Sequence, residues 1–169
     1  MLFFLLSDRL SDEIPLWDIT AGCDLTRESS FELIEHHAFT GSFSWRLKGN
    51  HIRFRGRNSA DDPLPACQPI PARNEQIERL VAALDFLRVW EWRTDYNPME
   101  CGYTVCDGMS WSFKASIAGR ECKSGGGNAY PSFADPTKSS MEPERYAFLV
   151  FALRSTFGIE YPESLTQNT

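Results

Sequence analysis

The sequence predicts a single α+β domain over residues 1–169, with an antiparallel sheet built from two meanders and two main helices packed on one face. Three observations predict this class. Apolar and polar residues alternate in two stretches interrupted by short turns. Each stretch is followed by apolar residues at helical spacing. The chain length also suits one domain with its own core.

The first meander is centred on residues 43–55, where two alternating runs flank Gly49-Asn50. This dipeptide is typical of a two-residue hairpin turn, which places Trp45 opposite Phe54 on one apolar face. Residues 31–36 predict a further strand upstream.

The first helix is predicted over about residues 75–88, after a proline-rich loop at 58–72 and with Asn74 as its cap. Alternation in residues 89–92 predicts the start of a strand. The inward face of the helix comprises Ile77, Leu80, Val81, Leu84 and Leu87.

The second meander is predicted from strands at Tyr103–Cys106, 111–117 and 121–123, with a turn at Asp107-Gly108 and a loop over 124–131. Ser139 to Glu142 has the spacing of a capping box, which predicts a helix over about 140–157 ended by Gly158. The apolar opening Met1–Leu6 is too short to span a bilayer and predicts a buried strand or a packed arm.

An offset of 66 residues aligns Ser44-Trp45 with Ser110-Trp111 and pairs apolar helix positions without a gap. The halves, about 31–88 and 97–158, each have the order strand, turn, strand, proline-bearing loop, helix. Either a duplication or chance could explain this likeness between the two halves. If both helices cover one face, the opposite sheet face is open to solvent, to a partner or to a second copy.

The net charge of −6 gives no general attraction to nucleic acid or to anionic membranes. The charge is uneven, because residues 1–40 hold eight acids and two Arg, whereas residues 41–60 hold five basic residues and no acid. An odd number of irregularly spaced Cys favours reduced thiols, which predicts a cytoplasmic protein.

A basic stripe along the first hairpin is the leading candidate site, because alternation places its side chains on the outer face. It is interpreted as a docking face for an acidic protein, a nucleotide or a phosphate backbone, or as a solvated face neutralised by the acids of the first 40 residues. Like charges face each other within it, which costs stability. The stripe comprises Arg46, Lys48, Arg53, Arg55 and Arg57.

Two further candidates are weaker. The predicted loop 124–131 offers successive amides that form an anion nest, or glycines that only allow the chain to turn. Acidic residues in the N-terminal third offer an alternative face for a basic partner. The first set is Gly125, Gly126, Gly127 and Asn128, and the second is Glu28, Glu32 and Glu35.

The sequence predicts no catalytic set, no metal site and no cofactor. Cys101, Cys106 and Cys122 could offer thiolates to a metal, but the sequence has no second CxxC or HxxxH pair to complete a site. His36 and His37 are adjacent, so a strand directs them to opposite faces.

The pattern of Trp92, Tyr96, Asp107-Gly108, Trp111 and Gly127-Asn128-Ala129-Tyr130-Pro131 resembles a group of small uncharacterised bacterial α+β proteins. The resemblance covers about two thirds of the chain and, because that group has no established activity, implies no catalytic residues. By analogy it implies an accessory role like that of immunity proteins.

These observations predict a non-enzymatic protein-binding module, as an immunity or defence-associated protein that neutralises or regulates a protein partner. The alternatives are a nucleotide- or anion-binding regulatory domain and a small enzyme. No membrane partner is expected, nucleic acid is disfavoured, and a homodimer fits the open sheet face.

Overall fold

A computed structural model describes residues 25–38, 41–57, 68–105 and 107–159. The predicted arm at Met1–Leu6 and most of the predicted loop at 58–72 lie outside the described residues. The fold is α+β, as predicted, with a six-stranded antiparallel sheet, a small two-stranded sheet and two main helices.

The main sheet has the order β4-β3-β2-β1-β5-β6, so β1 lies between two hairpins. Its strands are β1 (Ser30–His37), β2 (Gly41–Lys48), β3 (His51–Arg57), β4 (Ile70–Pro71), β5 (Met109–Ile117) and β6 (Arg120–Gly127). The small sheet pairs β7 (Tyr130–Pro131) with β8 (Ser139–Ser140). The helices are α1 (Leu25–Glu28), α2 (Asn74–Phe86) and α3 (Glu144–Phe157), with 3₁₀ turns at Val89–Glu91 and Pro98–Cys101.

The predicted register of the first hairpin is confirmed: Trp45 pairs with Phe54 and Arg46 with Arg53. Gly49 at the turn has φ of 61°, which glycine adopts without strain. The sheet face that carries Trp45 is covered by α2 and α3, whose inward residues are buried together with it. The two helices run antiparallel, since Gln76 near the start of α2 donates to the carbonyl of Thr156 near the end of α3.

Both helices begin at positions other than those predicted. Arg73 is the N-cap of α2, and the side chain of Gln76 accepts a hydrogen bond from its amide at 3.1 Å, so Asn74 is already helical. The predicted capping box at Ser139–Glu142 is wrong, because Ser139 and Ser140 pair with β7 and Pro143 precedes the first turn of α3. The end of α3 at Gly158, with φ of 64°, is confirmed.

Two predicted strands are absent from the described residues. Val89–Glu91 forms a 3₁₀ turn, because the indole N–H groups of Trp90 and Trp92 bond back to Asp85 and to the carbonyl of Leu87 at the end of α2. Tyr103 to Val105 has no strand partner, since both edges of β5 are already occupied by β1 and β6. The last residue of that prediction, Cys106, lies outside the described residues.

The two hairpins do not superpose as copies. Both β2 and β5 run antiparallel to β1, and β3 and β6 then extend away from it in opposite directions across the sheet. Trp45 and Trp111 face the same helices. Seen from that side with β2 and β5 pointing the same way, β3 lies to one side of β2 and β6 lies to the opposite side of β5. No rotation relates units of opposite hand, so the 66-residue likeness has no three-dimensional counterpart in the hairpins.

Candidate binding face

Five charged side chains form one straight row across the open face of the sheet. Arg53 pairs with Arg46, Arg46 with Glu32, Glu32 with Lys114, and Lys114 with Lys123. Neighbouring strands lie about 4.8 Å apart, so the row spans roughly 19 Å. Four cations therefore flank a single carboxylate on one line perpendicular to the strands.

Glu32 at the centre of this row serves two cations at once. Its carboxylate accepts a hydrogen bond from the guanidinium of Arg46, and its second oxygen lies 3.9 Å from Nζ of Lys114. The chain thus neutralises part of its own basic stripe with an acid from its first 40 residues. This is the second interpretation that the sequence left open, in which the stripe is a solvated face. Arg53 and Lys123 at the two ends are exposed, and no ion pair to either occurs among the described residues.

The row on one side of it contains two serines, a glycine and a single cation, so the charged side chains stand above small neighbours there. Arg55 pairs with Ser44, which pairs with Ile34, and the same row ends at Ser112 and Gly125. In the described strands this face has no Phe, Tyr or Trp. It therefore offers charge and hydroxyl groups, and its aromatic rings in these strands are the imidazoles of His36 and His51.

The open face is cationic although the chain is acidic. Its six described cations outnumber its two carboxylates, which leaves a formal charge of +4 on the face of a chain whose net charge is −6. We call this surface the cationic sheet face. Its cations are Arg46, Lys48, Arg53, Arg55, Lys114 and Lys123, and its carboxylates are Glu32 and Glu121.

The predicted basic stripe supplies four of the six described cations of this surface. Arg46, Lys48, Arg53 and Arg55 lie on the open face as alternation requires, and the Arg57 side chain is outside the described part of the chain. Sequence reasoning missed Lys114 and Lys123, because the order of strands that brings the second hairpin beside the first cannot be read from either hairpin alone.

The glycine-rich segment does not form the predicted anion nest. Gly125, Gly126 and Gly127 belong to β6 and pair with β5, so they are extended residues of a ladder. A Cβ on Gly126 would lie 2.4 Å from the carbonyl oxygen of Ala129, and one on Gly125 would lie 2.8 Å from that of Trp111. Close backbone approach, and not φ, requires glycine there.

Asn128 has a structural role in place of the predicted anion contact. It turns the chain after β6 with φ of 52°. Its side-chain oxygen accepts from the amide of Met109 at 2.9 Å, and its side-chain nitrogen donates to the carbonyl of Asp107 at 3.2 Å. These two hydrogen bonds therefore fix the backbone where the chain enters β5.

The predicted acidic face of Glu28, Glu32 and Glu35 is wrong. Glu32 and Glu35 are three residues apart on β1, so they point to opposite faces of the sheet. Glu35 is buried on the helix side, where the hydroxyl of Tyr146 donates to its carboxylate and Nε2 of His37 lies 4.0 Å away. Strict alternation from Phe31 was the pattern that could have placed Glu35 in the core.

An open groove of about 540 Å³ lies at the end of β1 and β5 and was not foreseen from the sequence. Its walls include His36, His37, Asp95 and Asp107, together with Met99, which is 70% exposed. His36 contacts the hydroxyl of Ser42 at 2.8 Å on the open face, whereas His37 lies on the helix side, as their adjacency predicts.

A scan against protein-family models and a search of the curated proteins find no match to this sequence. Within the described ranges, no three or more His, Cys, Asp or Glu side chains are grouped so that they could hold a metal ion. Burial raises the pKa of the Cys122 thiol to about 12, which keeps it protonated and unreactive at neutral pH. No described helix has both the length and the apolar character needed to cross a membrane.

Proposed function

We propose that the protein is a non-enzymatic binding module whose cationic sheet face docks an acidic surface of a partner protein. The observation that supports this most is the charge of +4 on one flat face of an acidic chain. Charge segregation of this kind steers a partner of opposite charge and fixes its orientation. A neutralising role like that of immunity proteins remains a prediction from the resemblance.

The row of like charges supports docking more than it supports stability. Arg46 faces Arg53 and Lys114 faces Lys123 directly across the ladder, and like charges in such pairs destabilise a sheet by up to about 1 kcal/mol. Carboxylates of a partner would relieve both pairs. The internal carboxylate of Glu32 relieves only the two inner cations.

A nucleotide-binding function has less support. The described strands of the open face have no Phe, Tyr or Trp and only the imidazoles of His36 and His51, and the amides of Gly125–Gly127 lie within a strand. A nucleic acid backbone is negatively charged, as an acidic protein is, so the two kinds of partner must be distinguished by experiment.

The test is binding to poly-L-glutamate at about 10 mM ionic strength, where the Debye length is about 30 Å. The face variant carries Arg53→Glu and Lys123→Glu, and we expect it to bind at least about tenfold more weakly than wild type. The control carries Arg79→Glu and Lys138→Glu, which reverse two exposed cations elsewhere, and should bind more tightly than the face variant.

A third variant tests the same face without removing any of its cations. Glu32→Gln removes the internal competitor for Arg46 and Lys114, so poly-L-glutamate should bind more tightly than to wild type. Equal weakening in the face variant and its control would contradict the proposal, because net charge alone would then explain binding. Tighter binding of duplex DNA than of poly-L-glutamate at the same salt would favour the phosphate alternative.

A further inference from the structure

The outward face of α3 is apolar, although it points away from the sheet. The inward residues Tyr146, Leu149 and Leu153 are buried in the core. On the other side, Phe148 is 48% exposed and Phe151 is 55% exposed. A surface helix ordinarily places charged or polar residues at such positions.

Phe133 extends this apolar surface beyond the helix. Its ring centroid lies 6.3 Å from that of Phe148, and it is itself 48% exposed. The guanidinium of Arg145 lies over the Phe133 ring at 5.2 Å and also donates to the Phe133 carbonyl, so the ring is fixed in place. We call Phe133, Ala147, Phe148 and Phe151 the phenylalanine face.

The exposed rings of this face supply part of the area that an interface between two copies needs. A Phe side chain can bury about 150–250 Å², so three half-exposed rings present roughly 300 Å² for each copy. Two copies would bury about 600 Å² of ring surface, and residues along the flanks of a helix about 21 Å long would add to it. Specific interfaces bury about 1,200–2,000 Å² in total, so the rings supply about half of the smallest such interface and the helix flanks would supply the rest.

We propose that the phenylalanine face joins two copies of this chain about a two-fold axis, with the two α3 helices antiparallel. Charge favours that direction, since α3 has Glu144 in its first turn and Arg154 in its last. Antiparallel pairing places Glu144 of each copy near Arg154 of the other, whereas parallel pairing places Glu144 against Glu144. A two-fold axis also gives a closed, self-complementary contact.

This inference does not depend on the proposed function, because the phenylalanine face and the cationic sheet face lie on opposite sides of the sheet. Pairing through α3 leaves both cationic sheet faces directed outward. The sequence allowed a homodimer through the open sheet face, whereas this inference puts the contact between the two copies on the helix side.

Sedimentation velocity tests this inference on the full chain over about 1 to 100 µM, the range in which a modest interface dissociates. Wild type should pass from monomer to dimer across this range. Phe151→Glu should weaken dimerisation by at least about 100-fold, because two carboxylates would be buried in one apolar contact. Ser30→Glu is the control, since Ser30 is exposed at the start of β1 on the open face of the sheet, on the other side from α3, and it should dimerise like wild type.

Circular dichroism and thermal unfolding of both variants establish that each is folded, as expected for substitutions at exposed positions. A wild type that stays monomeric at the highest concentration would overturn the inference, and so would a dimer that survives Phe151→Glu. Deletion of residues 1–6 provides a second measurement. Loss of the dimer in that deletion, with retention in Phe151→Glu, would assign the contact to the N-terminal segment instead.

Discussion

Gly126 and Gly127 are neighbours in β6, but only Gly126 meets backbone atoms at close range. A Cβ on Gly126 would lie 2.4 Å from the oxygen of Ala129 and 3.0 Å from that of Tyr96, whereas one on Gly127 would meet no atom within 4 Å. Backbone cannot move aside as a flexible side chain can. The same substitution at the two positions should therefore have opposite consequences.

We expect Gly126→Ala to lower the free energy of unfolding by about 1–3 kcal/mol, as overpacking does. Gly127→Ala should be neutral or raise it by up to about 1 kcal/mol, because alanine restricts the unfolded chain. Urea denaturation followed by tryptophan fluorescence measures both. Equal effects at the two positions would show that the approach of Ala129 does not constrain the strand.

Cys122 makes stability depend on pH in the alkaline range. Burial raises the pKa of its thiol to about 12, above its ordinary value of 9.0. Between these values the unfolded chain loses the thiol proton while the folded chain keeps it, so deprotonation favours unfolding. Stability should therefore be highest below pH 9 and fall as the pH rises toward 12.

The matching variant is Cys122→Ala. Its free energy of unfolding should fall less steeply than that of wild type between pH 8 and about 10.5, as measured by urea denaturation. Burial raises the pKa of Tyr96 to about 12 as well, so both proteins keep a share of the alkaline loss. Identical slopes in the two proteins would mean that the Cys122 thiol does not contribute.

At the scale of elements, one buried arginine joins the start of α3 to the end of α2. Arg145 is 5% exposed and donates to the carbonyls of Leu87, Ser132 and Phe133. The Leu87 carbonyl also accepts from the indole N–H of Trp92, whereas Arg145 is the side-chain donor to the part-buried carbonyls of Ser132 and Phe133. The charge is therefore solvated by the backbone, and its removal would leave these two carbonyls without that donor.

We expect Arg145→Ala to lower the free energy of unfolding by about 1–3 kcal/mol, since two part-buried carbonyls lose a charged donor while the Leu87 carbonyl keeps its bond from Trp92. Arg79→Ala on the exposed side of α2 should change it by less than about 0.5 kcal/mol. Urea denaturation compares the two. A loss below 1 kcal/mol at Arg145 would indicate that water replaces the guanidinium.

The elements that the sequence predicted well are those decided by neighbours in the chain. The first hairpin follows from alternation and a turn at Gly49-Asn50, and the registers of both hairpins contain only local pairs. Elements that depend on distant partners were misplaced. Ser139–Ser140 matches a capping box but pairs with β7, and Val89–Glu91 alternates like a strand but is held against α2 by its tryptophans.

The candidate site was partly predictable for the same reason. Arg46 and Arg53 face each other within one hairpin, so their shared surface could be inferred. Lys114 joins them only because β5 lies beside β1, and no local pattern encodes that neighbour. The burial of Glu35 follows from alternation, yet a charged side chain in the core is so uncommon that composition argues for the surface.

At the scale of the whole molecule, the two proposed surfaces lie on opposite sides of one sheet. The cationic sheet face is formed by strands alone, whereas the phenylalanine face is formed by α3 and the segment before it. A pair of copies joined through α3 would carry two outward cationic sheet faces. Such a pair could contact two sites on a long or repeated acidic partner, and the second contact would form at high effective concentration.

Bivalency distinguishes a dimer that assists binding from one that does not. Phe151→Glu leaves the cationic sheet face unchanged, so a monovalent probe, a short peptide of glutamates, should bind it as it binds wild type. On a surface coated densely with poly-L-glutamate, wild type should dissociate at least about tenfold more slowly than Phe151→Glu, because both faces must release together. Surface plasmon resonance at low and high coating density measures the difference. Equal dissociation rates on the dense surface, with wild type dimeric in solution, would mean that the two faces cannot engage one partner at the same time.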